Sequence, residues 1–354
     1  MPVGPWWIGL DVGERETRLC AQGMRKEDCI EKVVPSTGRA IAAAVEGLLL
    51  GSLREVVLES GSPPALVRQL RQIGLPLTVL DAGKASKFLA IRQNKTDVND
   101  ARGLAEIART GQSRVLAVHI KSPEIQLLRS SLVLRDQMIK QKGALSSALR
   151  SLLRVHGSSL TRLPSPTRVK TEVSLELARL RSELEIDLAE QVSPILQLYE
   201  TFAGVLHAED KRIARLAAAN PVTSRLMQVP GVGSVTSLSF YTAIEDPWRF
   251  ERAGDVGAYL GLTPRVKQSG GTALRLRITK AGNKLTRGHL VMAANVILCH
   301  AASHCALADW GRSLAKRVGH SKAKVAVARK LAVLLLILWR SGDDFQPYPW
   351  PSRR

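Results

Sequence analysis

Four carboxylates in the first third of the chain have types and spacing that could do metal chemistry. Asp11 closes the apolar run in IGLDVG and Glu59 closes EVVLES, so each sits at the exit of an expected strand. Asp97 and Asp100 lie in KTDVNDARGLAEIAR. Their i, i+3 spacing puts both on one helical face, and Ala101, Leu104 and Ala108 continue that face as an apolar stripe. Acids on the inward side of a helix are costly unless a cation holds them. Four converging carboxylates form a hard-oxygen site suited to Mg²⁺ or Mn²⁺. Two such ions about 4 Å apart can clamp a phosphodiester. Taken singly, Asp97 reads equally well as an N-cap, Asp100 as a helix-dipole partner and Asp11 as a turn residue.

A second group lies far along the chain. Ser269 is followed by Gly270 and Gly271, which remove steric cover from its hydroxyl, and Arg265, Lys267, Arg275, Arg277, Lys280 and Lys284 surround it in sequence. A serine attacking phosphorus needs a proton acceptor and cations for the developing charge. In isolation, a serine in a Gly-rich loop also reads as a turn residue. The PGVG of Pro230–Gly233 has the pattern of a helix-hairpin-helix turn, in which Gly231 and Gly233 let backbone approach a phosphate; a plain interhelical turn is the other reading. Cys299, His300, His304 and Cys305 lack the paired spacing of a zinc site and read as core or surface residues.

These residues must be positioned by two kinds of structure. The first 110 residues alternate strand and helix signals in the order β-β-β-α-β-α-β-α, which predicts a mixed sheet in an α/β domain. Ser122-Pro123-Glu124 is a helix start. Leucine-spaced helix from there to Ala219, interrupted around Pro164 and Pro166, predicts a helical hairpin or coiled-coil arm. The section from Pro221 to Trp339 reads as mostly helical with one Gly-rich basic loop, and the polar tail from Ser341 as unfolded. The expected division is 1–120, 121–219, 220–340 and a tail 341–354.

Across 354 residues, 51 Lys+Arg against 31 Asp+Glu give a net charge of +20. From Gly261 to Arg354 there are 17 basic and 3 acidic residues, so most of the surplus lies in the last quarter. Such an excess suits an anionic polymer and argues against a metabolic enzyme for small neutral substrates. Aromatic content of 4% makes base-stacking platforms minor. The longest apolar run, Leu331–Trp339, is too short to span a bilayer, and four cysteines are too few for a disulfide framework. A cytoplasmic, nucleoid-associated protein is expected.

Taken together, GLDVG, VVLESGS, KTDVNDARGLAEIAR, VPGVG and GLTPRVKQSGG…LRLRITKAGN resemble the DEDD-type transposases of bacterial insertion sequences, more closely the IS110 group described as bridge-RNA-guided serine recombinases. That resemblance implies a RuvC-like, ribonuclease-H-type domain, a helical coiled-coil arm and a mostly helical C-terminal transposase domain with a helix-hairpin-helix motif. It implies Asp11, Glu59, Asp97 and Asp100 as the metal-binding tetrad and Ser269 as a nucleophile that links covalently to DNA. It further implies a homo-oligomer, dimer or tetramer, with a site shared between subunits, acting on donor and target double-stranded DNA with a structured non-coding guide RNA. Three other readings compete: a RuvC-like endonuclease or junction resolvase acting by hydrolysis, a sugar-kinase-like ATPase, and an architectural nucleic-acid binder. The ATPase needs a second phosphate-binding α/β domain, and the binder leaves the inward acids unexplained.

Overall fold

The computed structural model describes residues 4–25, 27–48, 52–90, 97–160, 162–269, 272–300 and 304–348, with backbone alone for 97–98, 266–269 and 272–276. The chain divides into two compact units, Met1–Lys121 and Ser122–Arg354.

The first unit is a five-stranded mixed sheet with helices on both faces. In chain order it contains β1 (Pro5–Val12), β2 (Glu16–Gln22), β3 (Cys29–Pro35), α1 (Gly38–Glu46), β4 (Ser52–Glu59), α2 (Pro64–Gln72), β5 (Leu77–Leu80), α3 (Ala82–Leu89), α4 (Asp97–Arg109) and α5 (Ser113–Leu116). The strand order is β3-β2-β1-β4-β5. The first three strands pair antiparallel as hairpins, whereas β4 and β5 join β1 in parallel through helical crossovers. Because strand side chains alternate, Trp6, Ile8 and Leu10 pack with Ile41, Val45, Leu66 and Leu70 from α1 and α2. Trp7 and Val57 face the other way, against Leu104, Ile107 and Ala108 of α4. Asp11 and Glu59, in step with Trp7 and Val57, therefore lie on the α4 side. Local caps fix the helix starts: the Thr37 hydroxyl accepts from the Ala40 amide at 3.3 Å and the Asp81 carboxylate from the Lys84 amide at 2.9 Å.

The second unit is helical apart from one hairpin. It contains α6 (Pro123–Val155), α7 (Val169–Leu184), α8 (Ala189–Ala219), α9 (Pro221–Leu226), α10 (Ser234–Ile244), α11 (Asp255–Tyr259), β6 (Pro264–Ser269), β7 (Thr272–Ile278), α12 (Lys284–Cys299), α13 (Ala306–Val318) and α14 (His320–Ser341). Ser122 caps α6 with Pro123 at its first position, and its own amide donates to Glu245 Oε1 at 2.7 Å. The apolar run Leu331–Trp339 lies in α14, whose Leu331, Leu335 and Leu336 are fully buried in the largest core. No helix among the described residues is long and apolar enough to cross a membrane.

Three expectations change. The Gly-rich basic loop is an antiparallel hairpin, β6 pairing with β7. Two alternating runs separated by exactly two glycines are a hairpin signal, which the composition of the loop obscured. The leucine-spaced helix expected to run from beyond Pro166 to Ala219 breaks between α7 and α8, where Glu185 takes a left-handed φ of 60°. Finally, the described residues after Ser341, which end at Tyr348, are not free of the core. Gln228 donates to Asp344 at 2.9 Å, the Phe345 amide donates to Gln228 at 2.8 Å, and the Tyr348 hydroxyl donates to Asp309 at 2.8 Å. Phe345 packs against the helical core, which compensates for the polar composition around it.

Candidate functional site

The sheet brings two of the four acids side by side. The last rung between β1 and β4 pairs Leu10 with Leu58, so Asp11 and Glu59 stand level one step on, at the carboxyl ends of adjacent parallel strands. Both are half-buried. Ligand sites of α/β sheets form at this edge.

Helix α4 lies across the same face. Ala101 and Ala105 pack with Cys20 on β2, and the later residues Leu104, Ile107 and Ala108 pack toward Trp7 and Leu80. The helix thus starts near the Asp11 end of β1 and runs back along it. Asp97 is its first residue and Asp100 lies one turn in, half-buried. The Asp97 side chain lies outside the described residues. Gly9 permits the approach: a Cβ there would meet Ala101 O at 2.2 Å and Ala105 N at 2.4 Å. Gly9, the first glycine of GLDVG, is therefore a packing requirement for the acidic helix, a role the sequence reading did not assign.

Arg18 is a second residue that reading missed. It pairs with Asp11 across β1 and β2, and alternation places it on the same face. Asp11, Arg18 and Glu59 each take part in polar or electrostatic interactions. Among the described residues, Asp11, Glu59 and Asp100 do not form a group with all ligand atoms within 4.8 Å of one another. Their donor set is all hard oxygen, with a sheet edge and a helix start converging, which fits Mg²⁺ or Mn²⁺. Asp11, Glu59 and Asp100 would hold such an ion.

In the second unit, Ser269 is the last residue of β6, paired with Thr272 across the hairpin tip. The side chains of Ser269, Lys267 and Arg275 lie outside the described residues, as do Gly270 and Gly271. Arg265, Arg277, Lys280 and Lys284 are exposed. Arg265 also donates to Thr279 O at 3.2 Å, bracing the base of the hairpin. The Cys299 thiol lies 3.8 Å from His320 Nε2, while Cys305 is buried in the core.

Other basic residues of the section from Arg265 to Arg340 have structural tasks. Arg287 donates to the carbonyls of Leu260 at 3.1 Å and Ala281 at 2.8 Å. Arg340 binds the carbonyls of Pro247 and Phe250. The glycines of the PGVG turn also differ in role. Gly231 has φ 79°, and a Cβ there would stand 2.7 Å from Ala293 O of α12, so it faces protein. Gly233, which precedes α10, is exposed with open space around it.

Comparison with known proteins matches two family descriptions. Residues 8–157 fit a sequence model of DEDD transposases of the IS110 type, described as a transposase. Residues 223–308 fit the transposase family IS116/IS110/IS902. The chain is 30% identical to the transposase for insertion sequence element IS1111A of Coxiella burnetii, covering 82% of this chain and 79% of that one. It is 27% identical to a probable family 20 transposase of Pseudomonas aeruginosa, covering 81% and 84%. It is 24% identical to an IS110 insertion-element protein of Streptomyces coelicolor, covering 96% and 95%. The first matched span contains all four acids; the second contains both PGVG and Ser269.

Proposed function

Since the chain belongs to the IS110 family of DEDD transposases, we propose that it cuts and rejoins insertion-sequence DNA through Ser269, assisted by a divalent-metal site of Asp11, Glu59, Asp97 and Asp100. The observation that carries this reading is the level placement of Asp11 and Glu59 on adjacent parallel strands, beneath a helix that begins with the other two acids. A ribonuclease-H-type, RuvC-like domain accounts for that arrangement.

A bound Mg²⁺ or Mn²⁺ supplies Lewis-acid stabilisation of the phosphodiester oxygens. The chain's own residues do the rest. The acids fix the cations at the sheet edge, and Arg18 offsets part of their charge when no cation is bound. The Ser269 hydroxyl gives up its proton as its oxygen attacks phosphorus. One phosphate–oxygen bond breaks, the departing strand end takes up a proton, and a phosphoserine ester remains. Attack by a second strand's hydroxyl reverses these steps and frees the serine. The exposed Arg265, Arg277, Lys280 and Lys284, with Lys267 and Arg275 of the hairpin, neutralise DNA phosphates without reading sequence. Gly233, at the open side of the PGVG turn, is the better candidate for backbone approach to phosphate in a helix-hairpin-helix contact.

The resemblance to IS110-group transposases supports a homo-oligomer whose copies share the active site. The surplus of positive charge accommodates a structured guide RNA, and sequence choice then rests on base pairing. The hydrolytic alternative, with Ser269 structural, predicts a different product. Incubating the protein with Mg²⁺, the element's RNA and matched DNA, followed by denaturation, yields protein-linked DNA under this proposal. Ser269→Ala and Asp11→Asn abolish the adduct. Free cleaved ends produced by the Ser269→Ala protein would replace recombination by hydrolysis.

A further inference from the structure

Two thiols and a carboxylate converge on the β2–β3 hairpin. Cys20 of β2 stands opposite Glu31 of β3, and Cys29 stands opposite Gln22, so the three ligand-bearing side chains share the face covered by α4. Their ligand atoms all lie within 4.8 Å of one another, with Cys20 buried and Cys29 and Glu31 exposed. The Sγ–Sγ separation is 3.4 Å. Among the described residues this is the group of metal-ligating side chains that meets so closely.

A disulfide is the first chemistry to weigh, and the register opposes it. Cys20 and Cys29 are diagonal neighbours. Such positions have Cα atoms about 7–8 Å apart, beyond the usual disulfide span of about 4.4–6.8 Å. An ion reaches further. Thiolates bound tetrahedrally at about 2.3 Å stand about 3.8 Å apart, only a few tenths of an ångström from the separation present. Both thiols and the carboxylate are within the range that small side-chain rotations close.

We propose that Cys20, Cys29 and Glu31 form a binding site for a borderline-soft divalent cation of the Zn²⁺ type, with a water in the fourth position. Two thiolates and one carboxylate suit Zn²⁺ over Mg²⁺. Binding releases one proton from each thiol to solvent, so the divalent ion replaces two protons and the charge of the cluster does not change. Arg102 completes the site: its guanidinium is bonded to Glu31, with Nη2 donating to Oε2 at 3.1 Å. It orients the carboxylate and balances the remaining negative charge, as outer partners of metal ligands do. Arg102 is on α4 two residues after Asp100. The ion would therefore clip the β2–β3 hairpin to the acidic helix. Burial pushes the Cys20 thiol up, and the contact with Cys29 adds to the effect, so affinity rises with pH.

The test uses the reduced, chelator-stripped full-length protein titrated with Co²⁺. One equivalent should produce intense thiolate-to-cobalt charge-transfer absorption and four-coordinate visible bands, displaced by Zn²⁺. Cys29→Ser, an exposed change that leaves the core intact, should weaken Co²⁺ binding at least about 100-fold. Glu31→Gln should weaken it while keeping the thiolate bands. Zn²⁺ should raise the thermal midpoint of the parent protein and leave that of Cys29→Ser unmoved. Asp11→Asn should keep the signal, since oxygen-bound cobalt lacks these bands, which separates this site from the acidic one. Absence of thiolate bands in the parent protein, or their full persistence in Cys29→Ser, would overturn the proposal. So would ready formation of a Cys20–Cys29 disulfide by oxidised glutathione, detected as a loss of two hydrogens in mass, in protein that binds no cobalt.

Discussion

Replacing Gly9 with alanine probes how the acidic helix is seated. The added Cβ would stand 2.2 Å from Ala101 O and 2.4 Å from Ala105 N, where ordinary contact begins at 3.4 Å. Neither obstacle is a rotatable side chain, so α4 must retreat by about 1 Å or β1 must sink by as much. Close-packed interiors resist such shifts at a cost of about 1–3 kcal/mol. The helix carries Asp97 and Asp100, and misplacing reacting groups by about 1 Å costs about 100-fold in rate. Hydrogen exchange reads the first effect segment by segment. A loss of about 2 kcal/mol should speed exchange of the α4 amides about 30-fold, and adduct formation should fall about 100-fold. Gly103→Ala is the control. Its Cβ would meet Leu89 Cδ2 at 2.1 Å, but that atom ends a flexible side chain that can rotate away, and alanine gains about 1 kcal/mol in helix propensity. Its net effect should lie within about 1 kcal/mol of zero. Unchanged exchange and cleavage in Gly9→Ala would show that close approach of α4 to β1 does not hold the acids in place.

Other perturbations separate structural from functional charges. Glu176 is buried in α7, where Arg179, the Ser158 hydroxyl and the Ser159 amide hold its carboxyl down to about 2. Its ordinary value is higher, so its stabilising contribution is complete above about pH 4.5 and is lost as pH falls toward 2. Glu176→Gln should cost about 1–3 kcal/mol at pH 7, with the difference from the parent protein shrinking below pH 4.5 in denaturant titrations. Arg340 also rests on Trp248, with the guanidinium 5.4 Å from the ring centre. Arg340→Ala should destabilise the second unit by about 2 kcal/mol without changing the salt dependence of DNA binding. Lys284→Ala should do the reverse, leaving stability intact and lowering the log–log salt slope by about 0.9. Gly231→Ala should destabilise by about 1–3 kcal/mol through its left-handed φ and the α12 contact, whereas Gly233→Ala should weaken DNA binding at constant thermal midpoint.

Much of the sheet was legible because its signals are local. Alternation in WWIGLDV and the buried run EVVL specify strands with Asp11 and Glu59 at their exits, and Asp97–Arg109 follows a helical period from its first residue. What escaped depends on long-range packing. Nothing near Gly9 in sequence announces that α4, about 90 residues later, presses on it. Arg18 becomes a neighbour of Asp11 only through strand register. Cys20, Cys29 and Glu31 carry no familiar spacing, since a hairpin, not a motif, aligns them. The β6–β7 hairpin was legible in principle, because Gly-Gly separates two alternating runs; its arginines and lysines drew attention to charge instead of period. The contacts of Phe345 and Tyr348 lie beyond composition, since each uses a partner far away in the chain.

In the proposed reaction, acids from two strands and one helix share divalent cations. Mn²⁺ titration of the full-length protein, followed by electron paramagnetic resonance of the free ion, addresses it directly. Saturable binding is expected, weakened by Asp100→Asn, abolished by the Asp11→Asn, Glu59→Gln double variant and left intact by Cys29→Ser. Undiminished Mn²⁺ binding by a folded double variant would contradict it.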